Sequence, residues 1–124
     1  MSRRKICVID FDGTIVEHKF PAVGPAMEEA FEVMKELKAA GWMLVLWTCR
    51  ENDGHNINRQ YLKDAVEFCK EHGVEFDGVN ETPMECEFRP EGGLRRKAYG
   101  DVYIDDRNLG GFPGWPAVRK ELLG

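Results

Sequence analysis

Two short apolar runs constrain this chain most, because each stops abruptly at residues that carry chemistry. Lys5-Ile6-Cys7-Val8-Ile9 ends at Asp10, and Trp42-Met43-Leu44-Val45-Leu46-Trp47 ends at Thr48. Neither run alternates apolar with polar, so each suits a strand buried on both faces of a parallel sheet. Between them Met27, Ala30, Phe31, Met34 and Leu37 recur at helical spacing and Gly41 follows as a stop. Tyr61, Leu62, Ala65, Val66 and Cys69 predict a second amphipathic helix, closed by Gly73. A short third strand is expected over 74–76, a loop over about 77–93, and a fourth strand in Asp101-Val102-Tyr103-Ile104. After the turn from Gly110 to Pro116, a last short helix should end near Leu123. Strands alternating with helices imply right-handed crossovers and a parallel sheet covered by helices. A chain of 124 residues, 43% of them hydrophobic, suits one domain over 1–124.

Composition removes several function classes. No apolar run reaches the roughly 18 to 20 residues needed to cross a bilayer, and Met1-Ser2-Arg3-Arg4-Lys5 leads straight into a strand, so a cytoplasmic protein is expected. Cys7, Cys49, Cys69 and Cys86 form neither a C-x-x-C pair nor a zinc-like cluster and read as free thiols. A formal net charge of −5 disfavours broad nucleic-acid binding, although Arg95-Arg96-Lys97 could make a local anion site.

Parallel sheets bind ligands at the carboxyl ends of their strands. Asp10 and Asp12 follow the first strand, Thr48 the second, and Asp105 and Asp106 the fourth, so residues far apart in sequence should converge on one sheet edge. Carboxylates gathered there repel one another unless a cation compensates, and hard oxygen ligands select Mg²⁺. Each residue also has a plainer reading. An Asp-rich turn can be a solvated loop, Thr48 a strand-end hydroxyl, and the basic triplet surface charge. Arg50 and Arg107 are either solvated or ligands for a second substrate anion. Cys49 is either inert or redox-sensitive. His18, His55 and His72 are too scattered to suggest a metal site. Trp42 and Trp47 read as core, with Trp115 undecided.

The run Asp10-Phe11-Asp12-Gly13-Thr14 resembles the D-x-D-x-[TV] motif of the haloacid dehalogenase-like phosphohydrolases. Thr48, Lys97 (with Arg96 in reserve) and the pair Asp105-Asp106 match that family's remaining motifs in order. The resemblance implies a Rossmann-like three-layer α/β sandwich with a parallel sheet and, given the short intervals at 15–23 and 77–93, no cap domain. It implies Asp10 as nucleophile, Asp12 as general acid and base, and Mg²⁺ held by Asp10, the Asp12 backbone carbonyl, Asp105 and Asp106, with Asp106 favoured over Asp105 as the direct ligand. Gly13, Thr14, Thr48, Lys97 and Arg50 would contact the phosphoryl group or its surroundings, Gly13 through a backbone N–H. A capless site implies a phosphorylated small molecule or macromolecular end as substrate, a nucleotide or nucleic-acid end among them, with water excluded by a large substrate, loops or a second subunit. Two other readings stand beside it: a receiver-like phospho-acceptor domain, whose acidic pair would normally lead instead of close, and a catalytically weak Mg²⁺- or phosphate-binding module.

Overall fold

The computed structural model describes residues 4–81 and 100–124. Within them lie β1 (Ile6–Ile9), α1 (Ala30–Ala39), β2 (Met43–Leu46), α2 (Tyr61–Glu71), β3 (Gly78–Val79), β4 (Val102–Ile104) and α3 (Trp115–Leu123). The strands form one parallel sheet in the order β3-β2-β1-β4. This is the α/β architecture expected from the alternation of apolar runs and amphipathic helices. Among the described residues there is no separate cap domain, and no helix is long and apolar enough to cross a membrane.

Every residue of β1 and β2 is buried, which explains their unbroken apolar character. Their two faces nevertheless divide by the period of two. Cys7, Ile9, Leu44 and Leu46 join one core with the buried faces of α1, α2 and α3, while Ile6, Val8, Met43 and Val45 pack on the other side with Trp47 and Tyr103. All three helices of the described residues therefore cover one face of the sheet. Helices α1 and α3 lie side by side, tied by Arg119, which donates to both Glu36 and Glu29.

The third strand is not at 74–76. Asp77 exchanges two hydrogen bonds with Leu44, its N–H donating to the carbonyl and its Oδ2 accepting from the N–H, each at 2.8 Å. Pairing then continues as Val45 with Gly78 and Leu46 with Val79. Val74 is apolar because it packs under the end of α2, where its N–H donates to the Cys69 carbonyl, and Phe76 is likewise packed against that core. Alternating apolar residues there report contact with the core instead of a strand ladder. The part of the expected 77–93 loop beyond residue 81 lies outside the described residues.

Candidate active site

The register of the sheet decides what meets at its carboxyl edge. Ile9 pairs with Leu46 on one side and Ile104 on the other, so Asp10, Trp47 and Asp105 leave the sheet next to one another. The ladder reaches past the strands: Asp10 N–H donates to the Ile104 carbonyl at 3.0 Å and Trp47 N–H to the Ile9 carbonyl at 2.9 Å. Strand order reverses between β1 and β4, with β1 continuing to β2 on its other side, and that reversal is where open α/β sheets place ligands.

Asp10, Asp105 and Asp106 each present a carboxylate oxygen within 4.8 Å of the others. Burial pushes the Asp10 carboxyl up to about 7, and the charges of Asp105 and Asp106 push it the same way, against a lowering hydrogen bond from the Phe11 backbone. Three hard oxygen donors so arranged fit an oxygen-seeking divalent cation such as Mg²⁺. Gly13 makes the packing possible. Its φ is +87°, and a Cβ there would lie far inside van der Waals contact distance of Asp106 Oδ2.

A cleft of about 350 Å³ opens over Asp10 and Asp106, lined further by Asp12, Thr48, Arg50, Arg107, His18, Phe20 and Cys49, whereas Asp105 lines a smaller cavity with Asp10, Trp47 and Asn108. Arg50 is only 2% exposed. Its Nε and Nη2 donate to the two carboxylate oxygens of Asp12 at 2.8 Å each, and the remaining N–H groups donate to the carbonyls of Pro21, Ala22 and Tyr61. The guanidinium also lies between two rings, 5.0 Å from the centroid of Phe11 and 5.1 Å from that of Phe20.

Neither a protein-family profile nor a curated protein sequence matches this chain. It is similar to a solved structure of a conserved protein from Bacteroides thetaiotaomicron, with 34% identity, a TM-score of 0.82, and coverage of 98% of this chain and 91% of that one. The two belong to one family. That kinship supports the α/β fold and names no activity for either.

Several residues singled out in the sequence take unexpected places. Arg50 is neither solvated nor free for a substrate anion, because each of its donors is already engaged within the protein. Gly13 does not offer its N–H to the cleft; that group donates to the Val16 carbonyl at 2.8 Å. Thr14 is fully buried, and its hydroxyl faces Asp10 Oδ2 at 3.4 Å, so it supports Asp10 from behind. The Asp12 side chain lies outside the three-carboxylate group and is held by Arg50, which does not bear on the cation contact expected of its backbone carbonyl. Thr48 lines the cleft as expected, and its hydroxyl oxygen accepts the Arg50 N–H at 3.1 Å. Lys97, with Arg95 and Arg96, lies outside the described residues. Of the thiols, Cys7 and Cys69 are buried and pushed up to about 12, chiefly by desolvation, whereas Cys49 is exposed.

Two supporting residues escaped the sequence reading. Asn80, in the left-handed region at φ 53°, accepts the Thr48 N–H on its Oδ1 at 2.7 Å and so fixes the end of β2. Trp115 is buried and donates from Nε1 to the Thr14 carbonyl at 2.8 Å, tying α3 to the loop after β1. An Asn just past a strand is a recognisable left-handed signal, but nothing in the sequence pairs Trp115 with a residue 101 positions away.

Proposed function

We propose that this chain is a Mg²⁺-dependent phosphohydrolase of the haloacid dehalogenase-like kind, acting through transient phosphorylation of Asp10. The observation that carries the reading is the meeting of Asp10, Asp105 and Asp106 within 4.8 Å at the strand reversal, with Asp10 and Asp106 lining a cleft together with Asp12 and Thr48. Asp10, Asp105 and Asp106 would hold the cation, which would offset their mutual repulsion and the charge that grows on the phosphoryl oxygens. An oxygen of Asp10 bonds to phosphorus as the bond to the leaving oxygen breaks, and that oxygen takes a proton from Asp12. In the second half Asp12 takes a proton from water as the water oxygen attacks phosphorus, and the P–O bond of the Asp10 acyl phosphate breaks to return the carboxylate and release inorganic phosphate. Arg50 holds the Asp12 carboxylate toward the cleft throughout. Thr48 has a hydroxyl proton to give to a phosphoryl oxygen. Unpaired thiols at Cys7, Cys49 and Cys69 agree with a reducing cytoplasm.

Phosphate release is measured from an aryl phosphate, nucleoside monophosphates, sugar phosphates and pyrophosphate, with and without Mg²⁺, for the native chain and Asp10→Asn. Mg²⁺-dependent turnover abolished by the substitution is expected. Turnover that survives in Asp10→Asn removes Asp10 as nucleophile, and absence of turnover on every substrate replaces the hydrolase with a cation- or phosphate-binding module.

A further inference from the structure

The mouth of the cleft carries an exposed aromatic ring whose position is fixed from behind. Phe20 is 48% exposed although it packs against buried Arg50 and half-buried Tyr61. Its edge meets Tyr61 at a centroid separation of 5.2 Å and 67°, and the guanidinium of Arg50 lies 5.1 Å from its centroid. Arg50 is itself immobilised by Asp12 and three carbonyls, so the ring rests on a rigid support. Single exposed apolar side chains are ordinary. Ile57 and Leu109 are more exposed still, but neither lines the catalytic cleft.

Phe20 and Cys49 are shared between that cleft and an adjoining recess of about 510 Å³, lined further by Glu51, Asn52, Asp53, Arg59 and Tyr61. A molecule with its phosphorus at Asp10 would therefore extend across Phe20 into this recess. The recess is preformed: Gln60 Nε2 donates to the carbonyls of Asp53 and Asn56, Asp53 Oδ1 accepts the His55 N–H, and Asn52 Oδ1 accepts the Lys63 N–H. Its charges are two carboxylates, Glu51 and Asp53, against the one guanidinium of Arg59, which sits 4.0 Å from Asp53. That balance repels a second phosphate and suits a neutral, hydrogen-bonding group.

We propose that Phe20 and the adjoining recess form a subsite for a planar aromatic or heteroaromatic ring on the leaving-group side of a phosphate monoester. The assignment rests on the phosphohydrolase reading and narrows its substrate class. The ring stacks on Phe20, its polar edge meets the recess, and the phosphate reaches the carboxylate cluster. Stacking of a base on an aromatic side chain is worth about tenfold or more in affinity. A nucleoside monophosphate and a simple aryl phosphate share this chemistry, and the polar recess separates them, because only the former has a hydrogen-bonding edge.

The test compares kcat/KM for adenosine 5′-monophosphate, adenosine 5′-diphosphate, phenyl phosphate and ribose 5-phosphate in the native chain, Phe20→Leu and Phe20→Tyr. Both ring-bearing monophosphates should exceed ribose 5-phosphate by about tenfold. Phe20→Leu should collapse these ratios toward one, and Phe20→Tyr should restore them. The monophosphate should also exceed the diphosphate. A ratio near one in the native chain, or a ratio unchanged in Phe20→Leu, overturns the subsite. Calorimetric binding of adenosine 5′-monophosphate and ribose 5-phosphate to Asp10→Asn reads the same preference without turnover. If no substrate turns over, the hydrolase reading fails, and a preference of about tenfold in binding still upholds the ring subsite. Equal binding of the two overturns it.

Discussion

Arg50 donates two hydrogen bonds of 2.8 Å to the two carboxylate oxygens of Asp12, 38 positions earlier, from a side chain that is almost wholly removed from water. A guanidinium in that position is tolerable only because the carboxylate, three carbonyls and two aromatic faces replace its hydration. Removing one partner of such a pair leaves a buried charge unmatched. Arg50→Ala is therefore expected to destabilise the fold by about 3–5 kcal/mol. Arg50→Lys should recover little, because one ammonium cannot reproduce the planar two-pronged contact. Denaturant unfolding of the three proteins checks this. A loss below about 1 kcal/mol would place Arg50 among ordinary surface ion pairs.

Why Asp12 and Asp10 were legible in the sequence while Arg50 was not follows from distance along the chain. Asp10, Asp12, Asp105 and Asp106 immediately follow apolar runs whose strand character is local, and parallel pairing alone brings their ends together. The burial of Arg50 depends on Phe11, Phe20, Pro21, Ala22 and Tyr61, supplied by three separate segments. In sequence it is a cation opening a polar stretch, for which exposure is the ordinary expectation. The third strand failed for a similar reason. Gly78 has weak strand character and the two-residue strand Gly78–Val79 is too short to show a period; it pairs because Asp77 docks on Leu44, whereas the Val74–Phe76 alternation is produced by contact with the helical core.

Gly13 separates steric from chemical demands on the motif. At φ +87° an L side chain is strained, and a methyl group would also displace Asp106 Oδ2. Gly13→Ala is expected to lower stability by about 1–3 kcal/mol and to weaken divalent-cation binding at least tenfold, since Asp106 would have to move. Thermal unfolding with and without Mg²⁺ measures both. A destabilised variant whose Mg²⁺-dependent shift matches the native one would leave Asp106 outside the cation site.

The Asp10 carboxyl gives the metal-free protein a specific pH signature. Its value of about 7 in the fold exceeds the ordinary 3.8, so between those values the native state keeps a proton that the unfolded chain has released. Stability from this group is thus full below about pH 4 and is lost as pH rises through about 7. Asp10→Asn carries no such titration. Without divalent cations the variant should match the native chain near pH 4 and exceed its Tm by a few degrees at pH 8. Adding Mg²⁺ at pH 8 should raise the native Tm and narrow the gap. A difference that does not change between pH 4 and pH 8 would mean that burial and the neighbouring carboxylates do not disfavour the charged form of Asp10.

Trp115 links the stability of the last helix to the position of Asp10. Its indole N–H is the buried partner of the Thr14 carbonyl, and Thr14 in turn faces Asp10 with its hydroxyl. Trp115→Phe keeps an aromatic ring against Phe112, which it meets edge-on at 5.6 Å, but leaves that carbonyl without its donor. A loss of about 1–3 kcal/mol is expected for the orphaned group. Because the loop over 10–16 then has one fewer anchor, kcat should fall several-fold while KM changes little: the ring at Phe20 and the recess beyond it are not part of that loop. Steady-state kinetics at a temperature where the variant is fully folded separates the two effects. Reduced stability with native kcat would show that β1 and its ladder to Ile104 hold Asp10 in place without help from α3.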